Sequence, residues 1–357
     1  MQKYNRVDEV RDRLLADIRA GMMEPGEELA TVRTLCLRYD TCTATMSKVL
    51  GRLHDDGIVS LSQGRKTVMR RRLDRRIALI YYGKIEMPYS EYGCKLYRGI
   101  DRGFSGATDY TLALYNAGVI SEAKLRESLG SDYVGYIIVG RLDPDSAYRR
   151  LLGQRLQAQS LPLVQFGCQS MSAVNCTTVY CDYGSPFRKL LQGMRCAGLG
   201  HPLVVNDPRD VSSHKHQCFL QAYEEVFGGH LPAGQLILAR QTDHLDAYGQ
   251  LLDAIRSSPA ADAVIALADD FLVAVARAVH DSGRMMAFSG CDNLASSRLV
   301  IPSATTIDLH LHEAGGCIAR EMLGRLAAEH PLPPKTVTLD SEVIFRESTP
   351  KWQSTPK

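Results

Sequence analysis

Residues 7–69 set three short apolar stripes at helical spacing ahead of two β-rich runs around a basic tip. Few folds accept that order. The stripes are Val7, Val10, Leu14 and Ile18; then Val32, Leu35, Cys36 and Tyr39; then Met46, Val49, Leu50 and Leu53. The last two repeat at i, i+3, i+4 and i+7, so each predicts a helix that buries one face in a shared core. Pro25-Gly26 breaks the chain between the first and second helices. Thr31 suits the N-cap of the second helix, and Thr41 or Thr43 that of the third. Gly57 ends the third, where a left-handed residue is often needed. Residues 57–69 then predict two strands around the tip from Gln63 to Lys66. Three amphipathic helices alone would equally describe an ordinary bundle. The glycine stop and the basic hairpin favour a winged helix-turn-helix, whose partner is double-stranded DNA.

The turn before the third helix is only Asp40, Thr41 and Cys42. So short a turn throws that helix across the second and frees the outer face of its first turns. Thr43, Ala44, Thr45, Ser47 and Lys48 lie there and are the candidates for the major groove. Arg33 and Arg52 are placed for phosphates, which set register and supply salt-sensitive affinity. Gly64, Arg65 and Lys66 at the tip suit the backbone or the minor groove. A phosphate-loop reading of residues 63–67 fails, because the first glycine is missing and a strand follows rather than a helix.

In order and spacing the stretch resembles the GntR family. Pro25-Gly26, Leu29, Arg33, Leu35, Thr45, Leu50, Leu53, Gly57, Gln63-Gly64 and Thr67 stand at matching places. Two departures matter. Cys42-Thr43 replaces the family's Ser-Arg at the start of the third helix, and Lys66 replaces its second wing glycine. The resemblance therefore implies the fold of a DNA reader but not the operator it reads.

Charge sorts along the chain. Residues 1–76 hold 16 Lys and Arg against 11 Asp and Glu, a net of +5; the rest hold 26 against 29, a net of −3. That split suits a polyanion partner for the first part only. Residues 70–76, with five arginines among them, read as a solvated basic linker that is also able to touch phosphates. The start of the chain has no apolar signal-peptide core, and no run approaches membrane-spanning length. The ten cysteines form no Cys-x-x-Cys pair and read as reduced thiols. These features predict a cytoplasmic protein with no membrane partner.

Beyond the linker, short β-rich runs alternate with helical stretches. The runs lie at 77–82, 111–115, 134–139, 162–166, 177–181, 202–205, 235–238, 263–267 and 285–288. Helical patterns at 92–104, 186–197, 216–227, 247–256 and 271–281 fall between many of them. Runs apolar nearly throughout predict strands covered on both faces, and the alternation predicts parallel βαβ sheets. Nine runs are many for one small open sheet, so two lobes with a cleft fit better. In parallel sheets the strand carboxyl ends point into the crevice. Tyr82 and Tyr89, Arg141, Asp269 and Asp292 follow such ends, and their carboxylates, guanidinium and rings suit a polyhydroxylated or heterocyclic small molecule. Asp270 reads as the cap of the helix at 271–281, and Tyr81 and Tyr97 as packing residues.

This part resembles the sensor domain of LacI-type regulators and the related periplasmic binding proteins. The motifs run in order: Leu199-Gly200-His201, Ala268-Asp269-Asp270, Gly290-Cys291-Asp292-Asn293, Pro302-Ser303-Ala304-Thr305-Thr306-Ile307, and Val343 through Arg346-Glu347-Ser348-Thr349. The resemblance implies ligand contacts at Asp292, Asp269 and Pro88-Tyr89. It adds Lys215 where the family carries an arginine, although a lysine lacks the planar fork for bidentate recognition. It also implies hinge crossings near Asp182, Ile307 and Thr336. A GntR-type head on such a sensor is the arrangement of arabinose-repressor-like regulators.

The fold class expected is therefore α/β: a winged helix-turn-helix (1–69), a basic linker (70–76), a two-lobed periplasmic-binding-protein-like domain of parallel βαβ sheets (77–349) and a tail (350–357). The function expected is a transcriptional regulator, a repressor, that binds an operator as a homodimer under control of a small effector, a sugar or related polar metabolite. The alternatives are a transporter's solute-binding protein and a GntR-headed enzyme. Neither a catalytic motif nor a cofactor motif is present, and the histidine pairs at 214–216 and 310–312 lack further ligands at metal spacing.

Overall fold

The computed structural model describes residues 6–349 apart from 21, 22, 24, 62–65, 71–74, 83–89, 108, 109, 118, 131, 141–144, 168–170, 241 and 242. The head is α1 (Arg6–Ala20), α2 (Val32–Arg38), α3 (Thr43–Asp55) and two short strands, β1 (Val59–Ser60) and β2 (Val68–Met69). Its core is self-contained. Val10, Leu14 and Ile18 meet Leu35, Tyr39, Met46, Val49, Leu50 and Leu53, closed by Val59 and Met69 of the antiparallel wing. All three predicted stripes are in it. Thr31 caps α2 by accepting from Thr34 N. The cap of α3 differs from expectation: Cys42 holds the position, and no side chain bonds there. Gly57 takes φ of 70°, the left-handed conformation that releases the chain toward the wing.

Among the described residues the body has two large parallel sheets and a two-stranded antiparallel one. The first is parallel, in the order β4 (Tyr110–Asn116), β3 (Arg75–Tyr82), β5 (Tyr133–Gly140), β6 (Leu163–Phe166), β7 (Cys176–Cys181) and β13 (Lys335–Leu339). Helices α4 (Glu91–Phe104), α5 (Glu122–Leu125), α6 (Ala147–Gln159) and α12 (Leu311–Ala327) belong to this lobe. The second sheet is also parallel, in the order β11 (Ala287–Ser289), β10 (Ala263–Ala266), β8 (Pro202–Asn206) and β9 (Leu236–Leu238). It carries α7 (Gly184–Cys196), α8 (His214–Phe227), α9 (His244–Ser257), α10 (Leu272–Asp281) and α11 (Ser296–Leu299). All nine predicted runs are strands, within a few residues at their ends.

The chain passes between the sheets three times: after Cys181, after β12 (Thr306–Asp308) and after Leu339. The last two crossings run side by side, because β12 pairs antiparallel with β14 (Glu342–Ile344). Thr336 is thus not at the third crossing but inside β13, opposite Thr178. Beyond β14 the chain is stitched into the second lobe. Ser348 Oγ donates to Phe288 O and accepts from Thr305 N at 2.9 Å, and Ser348 N donates to Ser303 O at 2.9 Å.

Two contacts make the first lobe rigid. Helices α4 and α12 press backbone on backbone through Gly99, Gly103 and Gly315. A Cβ on Gly315 would fall 2.7 Å from Ile100 N and 2.8 Å from Gly99 Cα, and closer still to Leu96 O. Buried Arg325 of α12 donates to Thr177 Oγ1, Asn175 Oδ1, Cys176 O, Leu332 O and Pro333 O. Asp270 does not cap α10: a 3-10 turn over Asp269–Phe271 precedes the helix, and Phe271 is at the N-cap without a side-chain bond.

Candidate DNA-reading face and inter-lobe site

On the head, Thr43, Ala44, Ser47 and Lys48 are exposed on the first turns of α3, with Thr45 half-buried beside them. Thr45 hydroxyl lies 3.3 Å from Cys42 Sγ. That bond, with backbone amides behind it, holds the exposed Cys42 thiol below its ordinary pKa. Arg33 is exposed and makes no ion pair among the described residues. Arg52 is paired with Asp8 of α1, and Lys66 with Glu28, so part of their charge is already answered within the head. Gly64 and Arg65 lie outside the described residues.

The other site lies where the crossings bring the two sheets' carboxyl ends together. Its centre is the loop after β11. Gly290 N donates to Thr305 O at 2.7 Å, and Asp292 N to Ile307 O at 2.8 Å. Leu294 N donates to Asp269 Oδ2 at 2.7 Å, and Thr306 Oγ1 to Asp269 Oδ1 at 2.8 Å. Arg346 Nη2 donates to Asn293 Oδ1, and Asn293 Nδ2 to Asp308 Oδ2, each at 2.7 Å. This net over-determines a backbone that Asp292 (φ of 110°) and Asn293 (φ of 48°) would not adopt freely. Gly290 has no room for a Cβ, which would strike Asp269 Oδ1 and stand 2.9 Å from Leu272 Cδ1.

Asp292 is 4% exposed. Its Oδ1 faces Lys215 Nζ at 3.5 Å, and the Lys215 side chain is 17% exposed. Lys215 comes from the first turn of α8, whose cap is Ser213 Oγ accepting from His216 N at 3.2 Å. The two charges are too far apart for a good hydrogen bond, and Asp292 Oδ1 makes none at all. Burial pushes Asp292 up to about 6, with Lys215 acting in the other direction. Burial works to lower Lys215, but Asp292, Cys291 and Asp210 together outweigh it and the net shift is upward. The hydroxyls of Tyr92 of α4 and Tyr183 before α7 are raised by burial and, among other neighbours, by the Asp292 charge.

The structure thus brings Lys215 and Asp292 together and puts Asp269 one step behind them, with both oxygens engaged. Burial, then the Asp292 charge, holds Asp269 well above the ordinary carboxylate range. Tyr82 is the last residue of β3, while Tyr89 and Arg141 lie outside the described residues. Sequence reasoning missed Tyr92 and Tyr183. Each stands near a strand's carboxyl end, yet each also fits an ordinary packing position. Among the described residues no cluster of His, Cys, Asp and Glu could hold a metal ion, and no helix is long and apolar enough to cross a membrane.

Residues 6–69 match the profile of the bacterial regulatory proteins of the gntR family, and residues 210–349 that of the periplasmic binding protein-like domain. This is a transcriptional regulator in which a gntR-type DNA-binding head precedes a periplasmic binding protein-like domain. No curated sequence matches it. Among solved structures, the transcriptional regulator CelR in complex with cellobiose is similar over 90% of this chain and 100% of its own, with 17% identity and a TM-score of 0.65. Two LacI-family regulators with bound ribose are similar over 77% of this regulator and 98% of their own chains. That from Enterococcus faecium has 22% identity and a TM-score of 0.60; that from Enterococcus faecalis V583 has 19% and 0.63. Likeness at such identities speaks to the fold of the sensor.

Proposed function

We propose that this regulator is a homodimeric cytoplasmic repressor whose operator binding is set by a neutral, polyhydroxylated effector held between Lys215 and Asp292. One observation carries the reading. A buried carboxylate and a half-buried ammonium face each other across 3.5 Å, and Asp292 Oδ1 makes no hydrogen bond. A sugar hydroxyl suits that gap: it donates to Asp292 and accepts from Lys215 at once. Leaving a buried acceptor unmet costs on the order of 1–3 kcal/mol, which a hydroxyl recovers on binding. Tyr92 and Tyr183 would offer the sugar apolar faces. Asp269 would act through the loop it braces, without touching the effector. The cellobiose and ribose held by the similar structures support a sugar.

In this reading residues 1–69 are the reader, 70–76 the linker and 77–349 the sensor. Thr43, Ala44, Thr45, Ser47 and Lys48 meet base edges, and Arg33, Arg52 and the wing meet phosphates. A single small head reads too few base pairs for useful specificity, which argues for two copies. Exposed Met285, Leu299 and Ile301 flank the edge strand β11 and offer apolar surface for the second. The effector acts by binding the two lobe arrangements with different affinity.

The test is a thermal-shift screen with cellobiose, D-ribose and a panel of other sugars, repeated on Asp292→Ala. The shift is expected to vanish in the variant. A sugar whose shift survives the substitution refutes the site.

A further inference from the structure

A polar contact joins the lobes beside the cleft. The first turns of α4 in the first lobe lie over residues 293–295 in the second. Lys95 Nζ donates to Asn293 O at 2.7 Å, and Ala295 N donates to Glu91 Oε2 at 2.7 Å. Glu91 and Lys95, four residues apart, also pair with each other at 2.9 Å. We infer that these two are positioning residues for the binding site: they hold the loop that carries Asp292 to the first lobe and so set how far the lobes part.

Three features support this. Both bonds end on backbone atoms of the loop, so they respond to where the loop lies, whatever side chains it bears. The loop is itself fixed to the second lobe, through Asp269, Thr306, Asp308 and Arg346. A pull on residues 293–295 therefore moves that lobe as a body. On the other side, α4 is seated against α12 at Gly99 and Gly315 with no space to give. Each end of the contact is thus rigid, and the crossings after residues 181, 308 and 339 are where the chain turns between lobes. Tyr92, whose hydroxyl feels the Asp292 charge, is on the same turn of α4 as the contact.

Such a contact exists only when the lobes are close, so it favours the closed arrangement before any effector arrives. Weakening it lowers the closed fraction, and affinity falls by one factor for every ligand, with specificity unchanged. A substitution at Asp292 would instead alter which ligands bind. The inference stands whatever the cleft takes.

Amide hydrogen exchange on the full chain tests it without a ligand. Glu91→Ala and Lys95→Met are expected to speed exchange at Ala295 at least tenfold, while the Gly290 and Asp292 amides, bonded to Thr305 and Ile307, keep their rates. Unchanged exchange at Ala295 overturns the contact. A second measurement reads the lobes: spin labels at Gln157→Cys on α6 and Asp253→Cys on α9, with exposed Cys42 and Cys196 changed to Ser. The Glu91→Ala/Lys95→Met pair should lengthen or broaden the label spacing, and Lys95→Arg should leave it as it was. An unchanged spacing in the double variant refutes the positioning role even where Ala295 exchanges faster. If the control amides also accelerate, the loop has loosened, and the spacing in Lys95→Met alone decides.

Discussion

Gly315 and Gly316 are neighbours in one helix, and the structure predicts opposite signs for the same substitution. Either Gly→Ala change gains about 1 kcal/mol of helix propensity, because alanine has less backbone freedom to lose. At Gly316 nothing lies within 4 Å of the new Cβ, so that gain is kept. At Gly315 the new Cβ would sit 2.7 Å from Ile100 N, 2.8 Å from Gly99 Cα and nearer still to Leu96 O. All three are backbone atoms of α4 and have no rotamer with which to move aside. Ordinary contact would require the helices to separate by roughly 1 Å, and overpacking of this kind costs about 2–3 kcal/mol, the upper part of the usual range. Gly315→Ala should therefore be destabilised by about 1–2 kcal/mol net, and the two variants should differ by about 2–3 kcal/mol. At about 2–4 °C per kcal/mol for a domain of this size, melting by circular dichroism should separate them by about 5–10 °C. The displacement would also carry Glu91, Tyr92 and Lys95 away from residues 293–295. A Gly315→Ala protein as stable as Gly316→Ala would refute the backbone-to-backbone packing and the rigid seat it gives α4.

Other outcomes follow from the same structure. The Asp292 carboxyl should titrate near pH 6 in a carbon-detected NMR experiment. Its folded pKa is raised, so the stability it contributes is full below about pH 4 and is lost as pH rises through 6. Effector affinity should run the other way, falling as pH drops from 7 to 5 and the charge facing Lys215 disappears; a flat profile would contradict the role given to Asp292. Asp8→Asn frees Arg52 and should tighten DNA binding by less than tenfold, the scale of one exposed ion pair; weaker binding in fluorescence anisotropy would argue that Arg52 does not face phosphate. Arg33→Ala should weaken binding to all DNA and reduce the salt slope by about one. Arg325→Met strands five acceptors and should cost on the order of 3–5 kcal/mol in urea denaturation; a cost below about 1 kcal/mol would deny that network its role.

The parts of the fold legible in the sequence are those where burial dictates composition. β5 and β10 are apolar because both faces are covered, and the head's stripes are regular because each helix has one wet side. The parts that were not legible follow other rules. Edge strand β13 reads Lys-Thr-Val-Thr-Leu and is largely exposed, so it lacked the apolar run that marks its neighbours. α12 carries Gly315 and Gly316, residues that argue against a helix until the opposing glycine of α4 is known. In the site, Asp292 stood out only by resemblance and by following a strand. Its proximity to Lys215, 77 positions earlier, arises because both residues follow strands of the same parallel sheet, β8 and β11, at the carboxyl end of the second lobe. Glu91 and Lys95 had no signal, because they are surface-type charges whose partners are backbone atoms.

The stitching of residues 346–349 into the second lobe has a consequence for synthesis. Ser348 bridges Phe288 O and Thr305 N, so that lobe lacks part of its hydrogen bonding until almost the last residue described has emerged. The head, with a core of its own ending at Met69, is complete some 280 residues sooner. At about 5–20 residues per second, the ribosome displays a DNA-reading head for about 15–55 seconds before the second lobe has all its chain. Under the proposed function, the nascent regulator during that interval has an output and no input.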